Sequence, residues 1–181
     1  MLNPSQIKSI VAAGEGYNAE FKVSIPSNVK GITEEVCAFA NASGGIVLIG
    51  VDDSNNIKGI TIDNGKRSAL QNSINEISPS LKFEFYSVEV DGLNVAVIEV
   101  PSGQNKPYVL SGAIYVRQGP NSQKLTTPEE MRDFFQQTGK IYFDDASCID
   151  ANKEKDISEE NIKKFRFEAG LVNATSDEQL F

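Results

Sequence analysis

Apolar and polar positions change period several times along the chain, and each change marks an element. Ile7, Ile10 and Val11 recur at helical spacing after Ser5 and stop at Gly14, which predicts a helix over 2–13. From 18 to 23 the period shortens to two: Ala19, Phe21 and Val23 alternate with Glu20 and Lys22, so a half-buried strand follows, with Glu20 and Lys22 on its polar face. Ile32, Val36, Phe39 and Ala40 share one stripe of a helix over 29–42, and the residues from Asn41 to Gly45 can end it in a left-handed turn. Ile46 to Val51 is an unbroken apolar run, the pattern of a central strand covered on both faces, with Asp52 and Asp53 at its exit.

Residues 64–77 suit a helix closed by Ser78-Pro79, and strands at about 81–90 and 93–100 are joined by the tight-turn pair Asp91-Gly92. A second hairpin is expected at Ser111-Gly112, between 108–110 and 113–117. Thr127-Pro128-Glu129-Glu130 opens a helix with a capping box, a proline at its first position and acids in its first turn, and Gly139 closes it. From Asp144 the chain is acidic and poor in apolar residues until Ser158, which can cap a helix using Ile162, Phe165 and Ala169 up to Gly170. The expected fold class is α/β (α+β): a mixed, largely antiparallel sheet flanked by helices over 1–140, then an acidic linker and helical extension over 141–181. Residues 176–181 close no element, so a further downstream domain is expected.

Composition narrows the chemistry. With 40% apolar and 23% charged residues and no apolar run near twenty, the chain reads as globular, with no membrane span. The N-terminus lacks a basic segment followed by an apolar stretch, so a cytoplasmic location is expected. Cys37 and Cys148 form neither a disulfide framework nor a zinc half-site. The chain has no histidine, which excludes Ser-His-Asp triads, Cys-His pairs and histidine zinc sites, and leaves acid-base work to carboxylates, Lys, Tyr or metal-bound water. The net charge of −8 opposes binding to phosphates, but residues 1–125 hold 10 Lys+Arg against 12 Asp+Glu, and the acidity is concentrated in the C-terminal third.

Two glycine patterns lead nowhere. Gly14-x-Gly16-x-x-Ala19 matches a dinucleotide fingerprint by letter, but it follows a helix and precedes a strand, the reverse of the required order, so no NAD is expected. Gly44, Gly45 and Gly50 belong to no Walker motif, so no ATP is expected by that mechanism, and a helix-to-strand turn explains the first two. Glu15, Glu20, Asp52 and Asp53 stand at the ends of the two strands expected to be central. Together they would suit Mg2+ or Mn2+, while from spacing alone solvated turn acids are the commoner outcome. Lys22, Lys106, Arg117 and Lys124, with Tyr108 and Tyr115 nearby, could supply phosphate contacts and stacking surfaces.

The order of blocks is more specific than any of these. Glu15-x-x-x-x-Glu20-Phe21-Lys22, then Ala38-Phe39-Ala40-Asn41-x-x-Gly44-Gly45, then Ile49-Gly50-Val51-Asp52-Asp53 and Ile57-x-Gly59, resembles the AlbA_2 domain of Schlafen proteins and bacterial regulators. Pro107-Tyr108 and Gly112-x-x-Tyr115-Val116-Arg117-x-Gly119 resemble its C-terminal part. Gly16 and Ala42 stand where the family often has Ser and Thr.

The resemblance implies a mixed α/β domain associated with nucleic acid. In animal Schlafens three acids form a metal-dependent RNase site, and their counterparts here are Glu15, Glu20 and Asp53. It also implies that a cleft of the animal kind would need two copies, hence a homodimer. Three functions follow as expectations: a nucleic-acid-binding module of a transcriptional regulator, a Mg2+- or Mn2+-dependent endoribonuclease, and a protein-interaction or dimerisation domain.

Overall fold

The computed structural model describes residues 1–139 and 158–168. The chain divides into two units, Met1–Ile141 and Tyr142–Phe181. In the first unit, helix α1 (Pro4–Ala13) leads into strand β1 (Ala19–Lys22), helix α2 (Lys30–Asn41), strand β2 (Gly44–Ile49) and helix α3 (Asn64–Asn75). Strands β3 (Glu84–Val90) and β4 (Leu93–Pro101) form a hairpin, followed by β5 (Val109–Leu110), β6 (Ala113–Gln118), β7 (Asn121–Lys124) and helix α4 (Pro128–Gln137). In the second unit, helix α5 (Glu159–Glu168) begins where Ser158 Oγ accepts from the Asn161 N–H at 3.2 Å.

Four strands make the main sheet in the order β1-β2-β4-β3. Only β1 and β2 run parallel, joined by the crossover through α2, and every other pairing is antiparallel. Alternation along each strand divides the core in two. Val47 and Ile49 of β2 and Ala96, Ile98 and Val100 of β4 point toward α2 and α3, where they meet Ile32, Val36, Phe39, Leu70 and Ile74. Leu48, Val95 and Val97, with Phe21, point the other way, onto Ile7 and Val11 of α1. The apolar run of β2 therefore lies between two hydrophobic layers.

Local signals set most boundaries. Asn3, rather than Ser5, caps α1: its side chain accepts from the Gln6 N–H while Gln6 returns the bond to the Asn3 N–H. Thr127 and Glu130 form the same reciprocal box on α4. The hairpin turns at Asp91-Gly92 and Ser111-Gly112 hold all four residues at positive φ, as two-residue turns of this hand require. Gly45 is fixed by packing, because a Cβ there would lie 2.2 Å from the Phe39 ring.

A second sheet, β5-β6-β7, lies against α2. Its third strand, Asn-Ser-Gln-Lys, has no apolar alternation and escapes prediction from pattern. No described helix is long and apolar enough to cross a membrane. Cys37 is buried and its thiol is pushed up to about 11 by that burial, while Cys148 lies outside the described residues.

Candidate nucleic-acid interface and its acidic cluster

Because β1 alternates, Glu20 and Lys22 leave it on the face opposite Phe21, the side of α2. Glu20 is 8% exposed, so it is interior although it lies on the polar side of the strand. Its Oε1 accepts from Lys22 Nζ at 2.5 Å and its Oε2 faces Arg117 Nη1 at 3.5 Å. The turn after α1 brings Glu15 back over the strand, where its carboxylate accepts from the Phe21 N–H at 2.7 Å. Glu15 thereby satisfies a backbone donor of β1, an edge strand of the main sheet.

Arg117, on β6, is the centre of the cluster. Its side chain has no exposed surface, and its Cζ lies 4.6 Å from the centroid of the Phe39 ring. Nη1 also donates to Glu35 of α2 and, at 3.0 Å, to Ser122 of β7; Nη2 donates to the Gly16 carbonyl at 2.7 Å and the Pro120 carbonyl at 2.6 Å. One guanidinium thus joins the α1–β1 turn, β1, α2, β6 and the turn into β7. Burial pushes the Glu35 carboxyl above its ordinary value despite the Ser122 hydroxyl and Arg117, with Glu20 adding to the rise. Burial works against the charge on Lys22, yet the Glu20 hydrogen bond and the charges of Glu20, Glu35 and Glu15 outweigh it and hold that amine above its usual range.

Asp52 and Asp53 sit elsewhere. Glu20 pairs with Val47 across β1–β2, and the register ends at Lys22 and Ile49, so both aspartates lie past the end of that pairing. Asp52 closes a turn: its carboxylate accepts from the Asn56 and Ser54 N–H groups at 2.8 and 3.0 Å and pairs with Lys58 at 3.2 Å. The Asn56 backbone bond, with the side-chain partners Asn56 and Lys58, holds it below the usual carboxylate range. Asp53 is exposed. Among the described residues no three His, Cys, Asp or Glu side chains are gathered to hold a metal ion. Glu15 and Glu20 come together, Asp53 does not join them, and Glu20 faces two cations already. In this arrangement the acids do not fit a divalent metal.

The basic residues divide similarly. Lys124 is exposed on β7, and Lys22 keeps about a third of its side chain exposed beside Glu20. Lys106 donates to the Ala42 carbonyl and to Ser102 Oγ, and burial lowers its pKa. Arg117 has no exposed side-chain surface, and its Nη donors are engaged within the fold. Tyr108 is 4% exposed, and the Tyr115 hydroxyl donates to Glu34 at 2.8 Å, with burial first and then Glu34 pushing it up to about 12. Sequence pattern missed Glu35 and Ser122, which carry no local signal. Asn41 stood inside a recognised block, but its role emerges only here: its Nδ2 donates to the carbonyls of Tyr108 and Tyr115 at 2.8 and 2.9 Å, and its Oδ1 accepts from the Tyr108 N–H at 2.7 Å.

The chain is similar to known proteins in fold, and to a known family in sequence. In fold it is similar to the DIP2311 protein from Corynebacterium diphtheriae, at 18% identity and a TM-score of 0.53 over 97% of this chain. The match spans 41% of that protein's length. The N-terminal domain of a RecG-related protein from Nitrosomonas europaea matches at 22% identity and a TM-score of 0.43, covering 70% of this chain and 95% of that domain. No curated protein matches the sequence. The Schlafen, AlbA_2 family model matches residues 15–126, a span that runs from Glu15 through the Arg117 cluster to the end of the second sheet, and the chain belongs to that family.

Proposed function

We propose that this chain is a nucleic-acid-binding module of a transcriptional regulator. The supporting observation is family membership across 15–126, which covers β1 through β7. The charge distribution agrees with it. Lys82 and Lys124 are exposed and make no ion pair among the described residues, so their charges are free for phosphates, while most of the acidic excess falls after residue 125. Lys22 and Lys106 add partly exposed amines.

Fluorescence anisotropy with labelled DNA and RNA, single- and double-stranded, tests this. Affinity should fall linearly in log–log form as salt rises from about 50 to 200 mM. Absence of binding to every probe at low salt would overturn the reading and favour a protein-interaction or dimerisation domain.

A second reading, metal-dependent RNA cleavage, draws on the adjacency of Glu15 and Glu20 at β1. It requires Asp53 to approach them and Glu20 to exchange its cationic partners. Incubating a tRNA with the protein and Mn2+, with and without chelator, checks it; chelator-sensitive cleavage lost in Asp53→Asn and Glu20→Gln is the supporting result.

A further inference from the structure

A cavity of about 430 Å³ opens between β6, α4, the C-terminal end of α2 and the turn that carries Tyr17. It is at the small end of the range of ligand cavities, roughly 300–1,000 Å³, suited to one nucleotide and too small for a duplex. Resting on the nucleic-acid reading, we infer that it is a pocket for a single unpaired nucleobase, guanine in preference to the others.

The walls argue for a neutral aromatic ligand. Tyr17 stands at the cavity with 45% of its surface exposed, although it is among the largest aromatic side chains, and Phe134 is buried in the opposite element. Stacking on such rings is how proteins hold unstacked bases. Arg117 also borders the cavity, but its side chain has no exposed surface and its Nε–H is buried, so the polar groups open to an occupant are those of α4 and Gln118.

A phosphate is a poor occupant. Glu130 and Asp133 place two carboxylates in the lining, the Arg117 charge is balanced by Glu20 and Glu35, and the Lys106 amine donates to Ala42 and Ser102. The acids differ in availability. Glu130 is committed to the Thr126 and Thr127 N–H groups, whereas Asp133 is exposed and holds no partner among the described residues. Gln118 and Gln137 are likewise exposed and uncommitted. A free carboxylate accepts two parallel N–H donors. Among the bases, guanine presents that pair, from its ring N1–H and its 2-amino group, and its O6 and N7 accept from amide donors such as those of the glutamines.

The test uses the full chain and labelled ten-nucleotide single strands identical except for one central base: guanine, inosine (which lacks the 2-amino group) or adenine. The expected result is about tenfold tighter binding of the guanine strand than of the other two, a 1.4 kcal/mol difference. Asp133→Asn should erase that preference while leaving adenine-strand affinity within about twofold. Tyr17→Ala should weaken all three about tenfold by loss of stacking. Both residues are exposed, so the fold should survive, as circular dichroism would report. Equal affinity for the three strands, equal affinity for duplex and single strand, or indifference to both substitutions, with binding itself intact, overturns the pocket and leaves the module. Failure of every strand to bind overturns both.

Discussion

The two sheets of this domain are held by different forces. In the main sheet the inner strands β2 and β4 bury Val47, Leu48, Ile49, Ala96, Val97 and Ile98 completely, and both faces are covered by helices. The second sheet contributes Leu110 and Tyr115 to that core, with Tyr108 just before it, and is fastened to α2 through polar side chains, chiefly Asn41 and Arg117, with Tyr115 on Glu34 and Ser122 on Glu35 beside them. Apolar contact is tolerant of small rotations, because burial depends on area and not on direction. A carboxamide in three hydrogen bonds, or a guanidinium in five, specifies orientation. The small sheet is thus set at a defined angle by contacts that are costly to break, and it is the sheet that carries Lys124 and one wall of the cavity.

Breaking the charged fastening should have the largest effect. Arg117→Met strips Glu35 of its only ion pair among the described residues and leaves Glu20 with Lys22, and should lower unfolding free energy by about 3–5 kcal/mol in urea titrations. A loss below about 1 kcal/mol would show that water reaches the pair and that orientation has another source. Asn41→Leu is expected next, at about 2–3 kcal/mol, since it strands the Tyr108 N–H and two carbonyls. Amide exchange should then accelerate in β5 and β6 and stay slow in β2 and β4, which separates loosening of one sheet from loss of the whole.

The pH dependence sharpens the comparison. Glu35 has its folded value raised above the unfolded one, so the folded state binds more protons just above the ordinary carboxylate range. Stability present below the unfolded value is lost as pH rises through that window. Glu35→Gln removes this titration, and its stability relative to the parent should improve as pH rises from about 4.5 through that window and then level off, with a flat difference throughout contradicting the assignment. The smallest effect belongs to the surface. Lys124→Ala should leave stability unchanged within about 0.5 kcal/mol and lower the slope of log affinity against log salt by about one. Lys22→Ala and Lys106→Ala should flatten it similarly, with some loss of stability from their internal bonds.

Much of this architecture was written in local pattern. The apolar run of 46–51 marked the central strand, Asp91-Gly92 and Ser111-Gly112 marked hairpins, and Thr127-Pro128 marked the start of α4, because periodicity, turn geometry and capping are decided by residues a few positions apart. The family blocks were legible for the same reason. By contrast, β7 is a strand because β6 pairs with it, not because its four polar residues favour one. Glu20 read as a candidate metal ligand and Arg117 as a candidate phosphate contact until α2, β1 and β6 met around them: the sequence counts charges but cannot state which are desolvated, and Arg117 lies 97 positions from Glu20. Asp53 read as a partner of Glu15 and Glu20, yet it lies past the end of the β1–β2 register, and among the described residues no three acids are gathered to hold a metal ion. What the sequence alone determined is the family and every element of the first unit except β7; that strand, and which charges are buried, paired or free, were decided only by tertiary structure, because burial and pairing are properties of chain segments brought together from far apart.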